Sequence, residues 1–209
     1  MCNIAGYIGN RPAAPILLEM MAKESGFGGG YYKGIATLHE GKLYYAKVAG
    51  DMDRLLGETN AASLPGNIGF IHSRSFGRQN MEWAHPFISD RGRLAYIANG
   101  FNGVFENLEL FNSYCKQMLD EGFTFRTATT ENIGYNTPRL SDGSGIHGSE
   151  LAAHMITSEY RKEKDFGLAM MKSMVKRPTE IVGLALHEDF EDTIFISRFN
   201  FPMMTARAE

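Results

Sequence analysis

An α+β layered domain is the fold class this sequence predicts, and three observations carry that prediction. Strand-like runs stand at both ends of the chain, helical periodicity is clustered between them, and strands and helices do not alternate as βαβ units would require. The chain has 209 residues, a length that suits one domain burying a single substantial core. Residues 2–209 are expected to form one domain with no appendage.

The elements can be taken in order. "NIAGYIG" reads as a strand and "APILLEMMAKES" as a helix that runs into "GFGGG". "KGIATLHE" and "KLYYAKVAG" are strand-like runs separated by the Gly-Lys pair at 41–42, which predicts a hairpin. "NIGFIHSR" and "RLAYIANG" read as strands ending on polar residues. Leu108, Phe111, Cys115 and Met118 recur at three- and four-residue steps and line one helical face. Leu151 and Met155, with Tyr160, do the same in a second helix that Ser149 or a neighbour would cap. "FGLAMMKSMVK" is a third helix stopping before Pro178, and "EIVGLALHE" and "DTIFISRF" close the chain as antiparallel strands.

Composition narrows the function classes. With 22% charged residues and a formal net charge of −3, nothing draws the chain to nucleic acid or an anionic membrane. Asn10, Arg11, Pro12 and Pro15 interrupt the first apolar run, so a signal peptide is not expected. No stretch nears the roughly 20 apolar residues that span a bilayer. A cytoplasmic protein without a disulfide is the expectation, because two cysteines in a reducing compartment remain thiols. His39, His72, His147 and His187 lack metal-ligand spacing and a cysteine partner, so no metal and no cofactor are expected. "GFGGG" lacks the Gly-Lys-Ser/Thr ending of a phosphate loop and reads as a loop bordering a site. The methionines read as core filler.

The two cysteines differ in kind. Cys115 lies on the apolar stripe of a helix, where free cysteine behaves as a small hydrophobe. Cys2, once Met1 is removed, carries a thiol and a free α-amine on one residue, and an amine with a reference pKa of about 7.7–8.0 can take the thiol proton. Position alone leaves a buried thiol and a nucleophile as open alternatives.

Four stretches bear on that choice. Cys-x-Ile-x-Gly-x-Ile-Gly follows the initiator methionine, "GFIHSRS" is followed by "EWAHPF", and "YIANGFNGVFEN" and "GSELAAHMI" come later. Read alone, Asn99-Gly100 is a hairpin-turn signal, Arg74 a surface ion-pair residue and His85 a packing residue. Together, and in this order, the stretches resemble the class II glutamine amidotransferases, N-terminal-nucleophile hydrolases that include the glutaminase domain of glucosamine-6-phosphate synthases. The resemblance implies a four-layer α/β/β/α sandwich with Cys2 at the start of a central strand. It implies Cys2 as nucleophile, Asn99 and Gly100 as oxyanion donors, and Arg74 as the group that binds the α-carboxylate of glutamine. It also aligns the Glu106-Asn107 pair with a family motif. Gly148 falls where the family has the aspartate that holds the α-ammonium, with Ser149, Glu150 and His154 in register. Either Asp142 or another acid in the loop then substitutes, or the substrate is not held by that amine. The implied reaction releases glutamate and ammonia, the latter for a synthase or other acceptor in a separate chain or a part not included here. Two alternatives stand beside it: a cysteine amidase acting on another amide, and a noncatalytic regulatory domain of the same fold.

Overall fold

The computed structural model describes residues 2–24, 29–74, 80–101, 108–133, 136–177 and 180–207. Strands β1 (Asn3–Ile8), β2 (Tyr32–His39), β3 (Lys42–Val48) and β4 (Ile68–Arg74) form one antiparallel sheet in the order β1-β4-β2-β3. Strands β5 (Phe87–Ser89), β6 (Leu94–Phe101), β7 (Glu180–His187) and β8 (Phe195–Phe199) form a second, in chain order and also antiparallel.

Alternation of side chains decides how the sheets stack. Ala36, Leu38, Ile68 and Phe70 of the first sheet meet Ala95, Ile97, Val182 and Leu184 of the second in one buried cluster. The opposite faces are covered by helices. Helix α1 (Ala13–Lys23) buries Ala14, Leu17 and Met21 against Ile35 and Ile71, joined by Leu55 of α2 (Met52–Glu58). Helices α4 (Gly148–Glu163) and α5 (Phe166–Lys176) bury Ala152, Ile156, Phe166 and Met170 against Tyr96, Ala98 and Ile181. The result is four layers: helix, sheet, sheet, helix. Helix α3 (Leu108–Asp120) packs on α4 through Phe111, Cys115 and Met118, the stripe its periodicity predicts. Burial pushes the Cys115 thiol up to about 12, which makes it inert as a nucleophile.

Two local expectations are corrected and a third, the cap of α4, is narrowed to one residue. The β2–β3 turn is centred on Glu40 (φ 48°) and Gly41 (φ 69°), not on 41–42. Two successive left-handed residues match the twist of a hairpin. Helix α4 is capped by His147, whose Nδ1 accepts from Ser149 N–H at 3.0 Å. Asn99 and Gly100 are not a turn: they lie inside β6, paired with Val182 and Ile181. An eight-residue match to the β7 ladder outweighs the local preference of Asn-Gly for a hairpin. No helix among the described residues is long and apolar enough to cross a membrane.

Candidate active site

Register brings the predicted residues to one end of the gap between the sheets. Asn3 pairs with Ser73, so Cys2 and Arg74 lie one step further along the same pair of strands. Ile4 on β1, Ile68 and Phe70 on β4 and Ile97 on β6 all belong to the inter-sheet cluster. Period-two alternation therefore turns Cys2, Arg74 and Asn99 toward that same gap. Cys2 is half-buried. The Asn99 Nδ2 crosses between the sheets and donates to the Cys2 carbonyl at 2.8 Å. An amide nitrogen has two hydrogens, so one remains for a group lying beside Cys2. Gly100 follows with φ 144°, a backbone that favours glycine.

Arg74 is no surface residue: only 8% of it is exposed. Its guanidinium lies 5.4 Å from the Tyr32 ring and 5.7 Å from the Trp83 ring, and Nη1 donates to the Trp83 carbonyl at 3.1 Å. Held between two aromatic faces, a planar guanidinium keeps one orientation, which suits bidentate recognition of a carboxylate.

Behind these residues is a seam of three buried imidazoles that the sequence gives little warning of. His72 and His85 stack with centroids 3.8 Å apart, and His147 meets His85 edge-on at 5.2 Å. Nε2 of His72 lies 3.0 Å from the Ala98 carbonyl, and this bond to an acceptor fixes the proton on Nε2. His147 accepts at Nδ1 from Ser149 N–H, so its proton is also on Nε2. Burial drives His72 down to about 3, and burial with nearby Arg74 pushes His147 well below the usual histidine range. His85, lowered by burial and by the neighbouring charges, has both ring nitrogens without a hydrogen-bond partner. All three rings are neutral near pH 7. Period-two placement of His72 in "GFIHSR" is the one sequence signal for it: it falls on the same strand face as Arg74.

The remaining predicted residues have structural work. Glu150 is buried and accepts from Arg126 N–H (2.8 Å), Thr127 N–H (3.1 Å) and the Thr127 hydroxyl. Thr127 in turn accepts from His147 N–H at 2.8 Å and from the Trp83 indole at 3.0 Å. One threonine thus ties the Arg74 platform to the start of α4. His154 bridges Ser89 and the Thr124 carbonyl. Gly148 is the first residue of α4, and its carbonyl accepts from Arg177. It offers no side chain to a substrate. Asp142 sits on an exposed turn with its carboxylate accepting from Ser144 N–H at 2.9 Å, a bond that holds its pKa below the usual range. Met1, Gly26–Gly28 of the glycine run and the Glu106-Asn107 pair lie outside the described residues.

No family model matches the chain. Over 206 residues it is 30% identical to the glutamine–fructose-6-phosphate aminotransferase (isomerizing) of Pyrococcus horikoshii, covering 98% of this chain and 30% of that protein. The corresponding protein of Leifsonia xyli is 30% identical over 213 residues, again covering 30% of the relative. The chain belongs to the class II glutamine amidotransferase domain family. It spans about 30% of the length of these curated relatives. Solved structures share the fold of this amidotransferase domain. The glutamine phosphoribosylpyrophosphate amidotransferase of B. subtilis aligns with TM-score 0.64 at 18% identity, covering 90% of this chain and 35% of that one. A glutamine aminotransferase class-II domain protein from Silicibacter pomeroyi aligns with TM-score 0.57 at 16% identity, covering 95% and 77%.

Proposed function

We propose that this amidotransferase domain is a glutaminase whose nucleophile is Cys2 after removal of Met1. The observation that carries the reading is the convergence of Cys2, Arg74 and Asn99 at one end of the inter-sheet gap, with Asn99 bonded to the Cys2 backbone. The freed α-amine takes the thiol proton, and the thiolate attacks the carbonyl carbon of the glutamine side-chain amide. The second amide hydrogen of Asn99 and the Gly100 N–H stabilise the tetrahedral oxyanion. Protonated by the same amine, ammonia leaves, and water hydrolyses the thioester to glutamate. Arg74 grips the α-carboxylate. Residues 2–209 then act as one glutaminase unit in the cytoplasm, supplying ammonia to a synthase or other acceptor beyond these residues.

The test is ammonia release from glutamine by protein whose intact mass shows loss of Met1. Cys2→Ala is expected to reduce release to the uncatalysed background. Equal release from both proteins would exclude Cys2 as nucleophile.

One observation favours a second reading, a cysteine amidase on an amide without an α-ammonium. Gly148 supplies no charge and Asp142 is engaged with Ser144. A panel of glutamine, glutaramate and N-acetylglutamine decides: a kcat/KM for glutamine at least tenfold above the other two rules this reading out.

A further inference from the structure

Arg177, just beyond the end of α5, is 5% exposed. A guanidinium has five N–H donors, and among the described residues this one makes a single hydrogen bond, from Nη1 to the Gly148 carbonyl. Among the described residues no carboxylate pairs with it; the titratable groups facing it are Tyr96, Cys115 and His147. Buried charges are ordinarily paired, because removing an ion from water costs several kcal/mol. Arg177 lines a crevice between α4, α5 and the β7–β8 strands. Tyr96, Ser173 and Ser197 are its other polar groups, and Ile156 and Met170 are among its apolar walls. The Ser173 hydroxyl donates to the Ala169 carbonyl at 2.9 Å. The crevice is partly open, and its enclosed room is that of about one water molecule.

We propose that this crevice binds a single monovalent anion of chloride size on the Arg177 guanidinium. A positive charge beside apolar walls of low dielectric suits such an ion. The room excludes formate and any tetrahedral oxyanion. Neutralising Arg177 steadies the group that holds the first residue of α4, next to His147 of the imidazole seam. The site thus lies outside the proposed glutaminase centre and is tested without reference to its activity.

Thermal unfolding of the full chain would be followed as sodium chloride, sodium formate or sodium sulfate replaces sodium gluconate at constant ionic strength. Chloride is expected to raise the midpoint saturably, by about 5 °C at a hundredfold excess over Kd. Formate is expected to give no saturable rise, and sulfate only the linear rise of an excluded salt. Arg177→Met removes the charge, and Ser197→Met fills the crevice while keeping the guanidinium; both should abolish the saturable response. Should Arg177→Met fail to fold, the response of Ser197→Met and chloride-35 line broadening by the wild-type protein, lost in Ser197→Met, decide alone. A midpoint that rises equally in all salts, a saturable rise retained in Ser197→Met, or no excess line broadening would each overturn the proposal.

Discussion

At the scale of single residues, the candidate site depends on two side chains whose orientation is enforced from outside it. Asn99 spends one amide hydrogen on the Cys2 carbonyl, so it both positions the strand that begins at Cys2 and keeps a second donor. Asn99→Ala is expected to lower kcat for ammonia release by about 10²–10³, with a smaller change in KM; steady-state kinetics on glutamine measure the split. Arg74 is stacked between Tyr32 and Trp83. Lysine keeps the charge but has neither the planar face nor the bidentate fork. Arg74→Lys should therefore raise KM by about 10-fold or more while kcat changes less, the cost of a charge-assisted hydrogen bond.

At the scale of elements, the site depends on how closely loop and helix approach the first sheet. A Cβ at Gly34 on β2 would stand 1.8 Å from the His85 carbonyl oxygen. Backbone cannot yield as a flexible side chain can, so Gly34→Ala must separate β2 from the segment that supports Arg74. A loss of about 2–4 kcal/mol is expected, read from the urea midpoint. Glu150 works at the same scale. Its two oxygens satisfy three donors of the 126–127 segment, and Glu150→Gln turns one acceptor into a donor facing N–H groups. About 2 kcal/mol of stability should be lost through the mismatched amide.

For the whole molecule, the two sheets are joined at the site end by neutral histidines, and this makes stability depend on pH. His72 has its pKa lowered in the folded state, to about 3 from the usual 6.5, and His85 and His147 are lowered in the same direction. Between the folded and unfolded values the unfolded chain binds more protons, so stability rises with pH there. The contribution is fully present above about pH 6.5 and is lost progressively as pH falls toward 3. Urea midpoints measured from pH 7.5 to 4 should fall steadily, and His85→Phe should flatten the slope. A pH-independent midpoint would show that these rings are not buried neutral in solution.

Most of the strands and helices, the apolar stripe of α3 and the residues worth testing were legible in the sequence, because periodicity and motif order are local properties; the short elements α2 and β5 were not. Cys2, Arg74 and Asn99 could be named before any fold was known. Tertiary structure alone decided that Asn-Gly is strand and not turn, since a ladder to β7 outweighs a two-residue preference. It alone decided that Arg74 is buried between rings, that Glu150 is a tether, and that His72, His85 and His147 stack. These relations join residues far apart in the chain, and no local spacing encodes which strand faces which. Gly148 shows the division most plainly. Its lack of a side chain is legible in the sequence, but its contact with Arg177 exists only once α4 and α5 have packed against the second sheet.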